Sequence, residues 1–395
     1  MPSVGDDSTG ARIAQYRKLR GLTQRGLAMR AHVAYGTLTK IESGHALASA
    51  AVLAALARAM GVNVTQLTGQ PFLDELREAR VDQLIEPLRV ALDSYDLTPS
   101  EDVAPRSVDV IEAEIAALCD QTMCDGMIGQ GAAELPGFLD ELGVYISEYD
   151  DQRAWRSLAA AYRCTRHVVL NYGFRDLADI ALDRATWAGV RGGDPLAEGV
   201  RHRARASNHL RSGAYETGRQ LLAATLRATA DAPAGTKRDA LAGHTHLGWA
   251  VNAARSGDLS MAEDQLDAAT NLARRTGEAP TAGWFGFGPT NVAVHRVAVL
   301  IESGSYDRAV AAAEPLTIPA DWPSTRRAHH HMDLGRAHAN LGHHDRALTS
   351  LQEARRLAPQ QTRFHPTTRL TVEHLLTTKR RVPEPLASYA RWIGL

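Results

Sequence analysis

Apolar side chains recur every three to four residues along almost the whole chain, from Arg12 to Trp392. This spacing places them on one face of an α-helix, whereas a half-buried strand alternates apolar and polar residues at every second position. No stretch shows sustained alternation of β-branched residues, and clusters of turn residues are short. The pattern therefore predicts an all-α protein.

From about residue 107 onward the helical pattern repeats. Five similar segments read NYGFRDLA, RSGAYETG, RSGDLSMA, ESGSYDRA and NLGHHDRA. Their glycines are Gly173, Gly213, Gly257, Gly304 and Gly342, which lie 40, 44, 47 and 38 residues apart. A repeat of this length is typical of stacked helical hairpins, because one hairpin cannot cover its own apolar face. We expect an α-solenoid.

The last repeat is the most regular. Between residues 328 and 359 it places small residues, among them Gly335, Gly342 and Ala347, where two helices would cross closely, and it ends at Pro359. This pattern resembles the tetratricopeptide repeat. The resemblance implies a right-handed α-solenoid in which the first helix of each hairpin lines a concave surface.

Residues 10–69 form a compact basic unit in which five short helices are predicted. Gly21 suits the end of the first helix, and Thr23 and Ser49 suit the N-caps of the second and fourth helices. In the third helix, apolar positions such as Leu38 and Ile41 define a buried side and leave polar residues outside. Five short helices with a basic face are suited to bind DNA.

The segment LTQRGLAMRAHVAYGTLTKIESG resembles the helix-turn-helix of the phage-repressor, or xenobiotic-response-element, family. The resemblance implies that the helix from about Ala34 to Ser43 enters the major groove of DNA. It also implies that Gln24 binds a phosphate, and that Arg17 and Glu42 form an internal ion pair rather than contact DNA. The implied DNA-binding residues are Gln24, Ala34, Tyr35, Gly36, Thr37, Thr39, Lys40 and Ser43.

Three positions depart from the pattern of this family. Gly36 stands where many relatives place a base-reading side chain, His32 replaces the glycine of the turn, and Ala34 replaces the usual hydroxyl cap. Base reading would then depend on Tyr35 and Lys40. The alternative is a vestigial helix-turn-helix that is kept for packing.

The predicted concave surface is the second candidate site. With the crossing glycines as register, a set of polar and sulfur-bearing side chains falls near its inner face. These candidate groove residues are Arg163, His167, Arg203, Asn208, His244, Asn252, Asn291, Met332 and Arg336. Arginine and asparagine suit the binding of carboxylates and of an extended peptide backbone, and Asn291 is expected near Trp284 and Phe287. The occupant would be a peptide, a small molecule or a partner protein, and a merely solvated polar face is the alternative for each single residue.

These observations divide the chain of 395 residues into four predicted parts. Residues 1–9 would be a flexible arm, 10–69 the helix-turn-helix domain, 70–106 a connector, and 107–395 the solenoid with C-terminal capping helices. Within the connector, the pattern predicts one helix from Asp74 to Leu92, followed by a linker that reads DLTPSEDVAP.

Charge is distributed unevenly along the chain. The net formal charge is −1, but residues 1–70 contain eight Lys and Arg against three Asp and Glu, a balance of +5, which leaves −6 for the remainder. The two parts are therefore expected to meet different partners, with DNA as the partner of the basic part.

Other kinds of chemistry find little support in the sequence. The three cysteines lack CxxC spacing, the histidine-rich AHHHMDLGRAHANLGHH lacks a zinc-type arrangement, and no phosphate-binding loop, HExxH or GxSxG motif is present. We therefore expect no enzyme activity, no cofactor and no metal site. The chain shows neither a secretory signal nor an apolar run of the roughly 20 residues that span a membrane, so we expect a cytoplasmic protein without a membrane partner.

The combined architecture resembles the peptide-sensing quorum regulators of Gram-positive bacteria, and the GWFGFGPTN segment resembles regulators common in actinobacteria. Only four lysines stand against forty arginines, as expected of a GC-rich genome. The sequence thus predicts a homodimeric DNA-binding regulator with a sensor solenoid. A protein-interaction adaptor with a vestigial head is the alternative, and the operator, the effector and the sign of regulation are not specified by the sequence.

Overall fold

A computed structural model describes residues 8–78, 80–97, 105–279, 286–378 and 381–395. Within these residues the chain is almost entirely helical, and one isolated antiparallel bridge joins Ala279 to Phe287. The predicted all-α class is confirmed, with an N-terminal helix-turn-helix followed by a body of helical repeats.

Five short helices build the N-terminal unit, which we call the head. They are α1 (Thr9–Leu19), α2 (Gln24–Arg30), α3 (Tyr35–Glu42), α4 (Ala50–Met60) and α5 (Val64–Thr68). Ser8, Thr23 and Ser49 accept backbone hydrogen bonds at the starts of α1, α2 and α4, so each cap satisfies a donor that the helix leaves unpaired. The head encloses its own apolar core, in which Ile13, Leu27, Leu38, Leu56 and Leu67 are fully buried.

Two helices, α6 (Leu73–Glu78) and α7 (Asp82–Asp93), follow the head. The prediction of one continuous helix from Asp74 to Leu92 is therefore wrong. Arg80 adopts a left-handed backbone with φ of 55°, and the Val81 amide donates to the Leu76 carbonyl at 2.9 Å, a pairing that ends a helix. The break lets both short helices bury apolar side chains, Leu76 and Leu88, in the core of the body.

Twelve helices form the repeating body. They are α8 (Val108–Met123), α9 (Ile128–Tyr149), α10 (Gln152–Asn171), α11 (Arg175–Arg191), α12 (Ala197–Ser212), α13 (Tyr215–Ala230), α14 (Thr236–Ser256), α15 (Leu259–Thr276), α16 (Pro289–Glu302), α17 (Tyr306–Ala313), α18 (Ser324–Asn340) and α19 (His344–Leu357). Each of the five repeat glycines lies in the turn of one hairpin, from α10–α11 to α18–α19, with φ between 72° and 93°. Side chains other than glycine rarely adopt this backbone conformation, which explains the repeated glycine.

The body curves until its two ends touch. Near the start of α18, the Thr325 amide donates to the Cys124 carbonyl at 3.0 Å, and its hydroxyl donates to the Met123 carbonyl at 2.7 Å. The rings of Tyr172 and Phe364 also meet edge to face, with centroids 5.4 Å apart. The first and last parts of the array are therefore joined. The charge of Arg326 on α18 acts on side chains of α10, α12, α14 and α16, so the inner faces of these five helices converge on one region, which we call the lumen.

Three C-terminal helices complete the chain and hold the head. They are α20 (Pro359–Phe364), α21 (Pro366–Thr378) and α22 (Glu384–Trp392). Glu373 on α21 accepts from the Thr9 amide at 3.2 Å, and Leu370 packs against the head core. On another side of the head, Arg58 of α4 donates to the Gly213 carbonyl at 2.9 Å. The head is thus fixed to the body at two separate places.

A buried ion-pair network joins three helices of the body. The carboxylate of Glu302 accepts from Arg255 at 2.9 Å and from Arg336 at 2.7 Å, and its side chain is 7% exposed. We expect Glu302→Gln to lower the free energy of unfolding by about 3 kcal/mol, because two guanidinium groups would lose their buried partner. Urea titration checks this value. Glu353→Gln, in an exposed pair with Arg356, is the control and should cost less than about 1 kcal/mol; equal losses in the two variants would contradict the prediction.

The same carboxylate predicts acid sensitivity. Burial opposes the charge of Glu302, but the cations Arg255 and Arg336 outweigh it and hold the pKa of that carboxyl well below its usual range. A folded-state pKa below the unfolded value stabilises the fold above the unfolded pKa of about 4.3, and this contribution is lost as the pH falls further. The stability difference between wild type and Glu302→Gln should therefore shrink as the pH falls below about 4, as followed by urea titrations along a pH series.

Candidate recognition helix and lumen

A hydrogen-bonded carboxylate holds the helices of the helix-turn-helix together on the side away from the exposed face of α3. Glu42 at the end of α3 accepts from Arg17 of α1 at 2.7 Å and from Gln24 of α2 at 2.8 Å. The hydrogen bond to Glu42 raises the pKa of Arg17, and Arg17 is buried. The expected ion pair between Arg17 and Glu42 is present, and it sets the angles between the three helices that present the recognition surface.

The turn between α2 and α3 has the shape expected of the motif. His32 takes a left-handed backbone with φ of 53°, although glycine would adopt this conformation at lower cost. Ala34 is the N-cap of α3 and provides no side-chain hydrogen bond. The sequence departures therefore cost stability at the turn without changing its path.

The outer face of α3 is open to solvent. The exposed members of the predicted DNA-binding set are Ala34, Tyr35, Gly36, Thr37, Lys40 and Ser43, and Thr39 and Gln24 are partly exposed. A side chain added at Gly36 would meet nothing within 4 Å. The docked body therefore leaves the face that would meet base edges uncovered.

Three of these side chains already have partners within the head. Gln24 donates to Glu42, the Thr39 hydroxyl donates to the Gly36 carbonyl at 3.0 Å, and the Ser43 hydroxyl donates to the Lys40 carbonyl at 3.1 Å. The second amide hydrogen of Gln24 and the lone pairs of the two hydroxyls leave capacity for further bonds. Tyr35 and Lys40 are the long side chains of this set that point outward.

Arg25 is a further candidate DNA-binding residue that was not predicted from the sequence. Its guanidinium lies over the Tyr35 ring, 5.4 Å from the ring centroid, and the side chain is exposed. Stacked in this way, arginine and tyrosine present a flat cationic surface beside the start of α3. The sequence did contain a signal for this role: Arg25 lies in the first turn of α2, where the helix N-terminus also attracts anions such as phosphate.

The loop after α3 lies against the C-terminal helix α21. The carbonyl of Gly44 lies 3.3 Å from Nδ1 of His374, and Thr377 lies close to Gly44. A cavity of about 440 Å³ lies beside this contact, is lined by residues of the loop and of α21, and reaches Val382. The edge of the recognition unit is therefore in direct contact with the body.

The lumen is lined by basic side chains, all but one of them on the first helices of the hairpins. Three predicted groove residues lie there, His167, Arg203 and His244, each close enough to Arg326 for its charge to lower their pKa. Arg163, on α10, lies near Asp194 and Cys119. The sequence reasoning missed five other residues of the lining: Arg166, Arg211, His295, Arg326 and His365. Burial lowers the pKa of His167 to about 4, with smaller effects from Arg166 and Arg326, and burial lowers the pKa of Arg203 to about 10, with smaller effects from the same two arginines. The histidines are thus neutral at pH 7, and the arginines carry the charge.

The remaining predicted groove residues lie elsewhere or are already bonded. Asn252 and Asn291 are 1% exposed and Met332 is fully buried, because these side chains pack between helices rather than face the lumen. Asn208 donates to the carboxylate of Asp179, and Arg336 belongs to the Glu302 network. Trp284, expected beside Asn291, lies outside the described residues.

Neither a metal site nor a membrane-spanning helix is found among the described residues. They contain no group of three or more His, Cys, Asp or Glu side chains arranged to hold a metal ion. None of their helices combines the length and the apolar character that a membrane crossing requires.

The head is similar to a known family of DNA-binding domains. Residues 13–67 match a family model described as helix-turn-helix, and no curated protein matches the chain. Among solved structures, PlcR of Bacillus thuringiensis, crystallised in complex with the peptide PapR7 and DNA, is similar at 15% sequence identity. The match covers 78% of this chain and 95% of the PlcR chain, with a TM-score of 0.36.

Proposed function

We propose that this chain is a sequence-specific DNA-binding transcriptional regulator. The observation that carries the proposal is the helix-turn-helix match over residues 13–67 together with the exposed outer face of α3. The Glu42 network holds α3 rigidly, and a rigid helix loses less entropy when it enters the major groove.

Within this proposal the residues of the head divide into two kinds of contact. Tyr35 and Lys40 reach base edges, and the small residues Ala34 and Gly36 let the backbone of α3 approach the bases closely. Gln24, Thr37, Thr39 and Ser43 contact phosphates or sugars, and Arg25 joins them through its position beside Tyr35.

The body acts as a sensor in this proposal. The head is attached to α21 and to the α12–α13 turn, so a change in the curvature of the body would reposition the head. Only a ligand with different affinities for two curvatures could drive such a change. An effector that binds in the lumen is therefore part of the proposed function. We also propose a cytoplasmic location for the protein. An actinobacterial source stays a prediction from composition.

The second candidate function is a protein-interaction adaptor with a vestigial head. Two observations favour it: Gly36 offers no side chain to a base, and Gln24 is hydrogen-bonded inward to Glu42. An adaptor would bind nucleic acid no better than any weakly basic protein.

Substitution of the recognition helix separates the two functions. Operator fragments are first selected from genomic DNA of the host with the purified protein. Lys40→Ala and Tyr35→Ala should then each weaken binding to a selected fragment by roughly 5- to 150-fold, because a base-edge contact is worth about 1–3 kcal/mol. Fluorescence anisotropy measures the affinities.

Lys237→Ala is the matched control, because Lys237 is an exposed lysine on α14, far from the head in sequence. It should leave the affinity unchanged. Equal affinity in all four proteins would favour the adaptor. A salt series adds an independent check, since phosphate contacts predict a steep linear fall of log K with log salt concentration.

A single head of this size makes few phosphate contacts, so we also propose that two copies bind half-sites about 34–36 Å apart. Sedimentation-velocity ultracentrifugation with the selected operator should show two protein copies per duplex. Only monomer, both free and with DNA, would contradict dimeric binding.

A further inference from the structure

The two ends of the hairpin array are in contact. Thr325 bonds to the end of α8 through both its amide and its hydroxyl, and the Gly129 amide of α9 donates to Gln360 of α20 at 2.7 Å. These contacts join the first and last parts of the hairpin array. Side chains on the inner faces of α10, α12 and α18 therefore lie close together, and the charge of Arg326 on α18 acts on His167 of α10 and on Arg203 of α12.

Direct contacts place the basic side chains of neighbouring inner helices together. Arg203 of α12 is 9% exposed; it donates to Ser207 at 2.6 Å and reaches the carbonyl of His244 on α14 at 3.4 Å. The ring of His244 in turn lies 6.3 Å, centroid to centroid, from the ring of His295 on α16. The basic lining is therefore continuous from α12 through α14 to α16.

Few acids balance this positive charge. Asp179 and Asp194 act on the basic lining, but Asp179 already accepts from Asn208. Glu302 is fully engaged by Arg255 and Arg336. Among the described residues, no acid acts on Arg203 or Arg211, and Asp179 is the one acid that acts on Arg166.

The arginines of the lumen also repel one another. Burial lowers the pKa of Arg211, and repulsion from Arg175, Arg166, Arg255 and Arg203 lowers it further. A guanidinium keeps its proton in proteins, so these arginines stay charged and continue to repel one another. The Nε atom of Arg166, an Nη atom of Arg211 and Nε2 of His167 are buried and lack hydrogen-bond partners. Such groups are costly unless a partner of opposite charge arrives.

We propose that the lumen binds a compact polyanion with at least two phosphate or carboxylate groups, held by Arg166, Arg203, Arg211 and Arg326. The assignment names the effector class of the regulator proposed above and rests on that function. Guanidinium groups bind both kinds of oxyanion through paired N–H donors, and neutral His167 and His244 add single hydrogen bonds.

The structure favours a compact ligand over an extended peptide. Asparagine side chains suit a peptide backbone because each offers both a donor and an acceptor. The two asparagines expected to provide them, Asn252 and Asn291, are 1% exposed, so they offer almost no surface to a ligand in the lumen.

The test measures the melting temperature of the full-length protein with inorganic triphosphate or with citrate, each against sodium chloride at equal ionic strength. A site filled at about 100 times Kd should raise the melting temperature by about 3 °C for a chain of this length. Isothermal titration calorimetry then gives the stoichiometry, expected to be one per chain. Response to triphosphate identifies phosphate as the preferred group, and response to citrate identifies carboxylate.

Two substitutions locate the site. Arg166→Gln and Arg203→Gln should each weaken binding of the responding anion at least tenfold, and two positions are used in case one variant does not fold, as judged by circular dichroism. The control Arg356→Gln removes an exposed arginine of α19, 64% exposed, and should bind as wild type does. Lys40→Ala, in the head, should also bind the anion normally.

Three results would overturn the proposal: no response to either anion, a response that persists in Arg166→Gln and Arg203→Gln, or tighter binding of a hexaglutamate peptide than of both small anions. Operator binding is measured separately on the same samples. Intact operator binding without anion binding removes the lumen site and leaves the regulator, whereas anion binding without operator binding removes the regulator and leaves the lumen site.

Discussion

The contact of Thr325 with the end of α8 determines whether the hairpin array is an open superhelix or one whose two ends meet. Stacked hairpins by themselves make an open superhelix with a solvated concave face. Once the two ends meet, the same inner residues are crowded together, and burial lowers the pKa of their arginines and histidines. Charge there is therefore more costly, and an interaction with a bound anion is stronger. The contact also brings α20 and α21 to the place where the head rests, so the shape of the body and the position of the recognition helix depend on one another.

Two buried carboxylates use the same chemistry to fix helices in place. Glu42 holds α1 and α2 against α3, and Glu302 holds α14 and α18 against α16, each by accepting from donors on two other helices. In both networks the buried charges are paired, which suits a rigid support. The lumen differs because its cations exceed its acids. A surplus of buried charge stabilises no fold by itself, and this contrast distinguishes a binding surface from a structural network.

The sequence predicted the parts of this fold that depend on local signals. Caps such as Thr23, the repeat glycines and the buried positions of α3 are set by neighbours in sequence, so the head and the hairpin turns followed from the pattern. Arg80 carries no comparable signal for its left-handed backbone, and the break between α6 and α7 was missed. Helical periodicity also fails to separate the lumen-facing side of an inner helix from the adjacent side that packs on its partner. Arg203 and Asn252 therefore gave the same signal in the sequence, although Asn252 packs against Gly218 of α13. The contact between the two ends joins residues about 200 positions apart, beyond the reach of any periodicity.

Acidic and basic side chains are distributed unevenly between the inner and outer surfaces of the body. Residues beyond 70 carry a net −6, yet the inner surface of the body is basic, so the acids must be concentrated on the outside. Side chains such as Asp109, Glu216 and Asp267 are 65–77% exposed there, each beside an arginine partner. A body of net negative charge repels the phosphate backbone of DNA, whereas the basic head attracts it. This difference would favour orientations on DNA in which the head, with α3, faces the duplex.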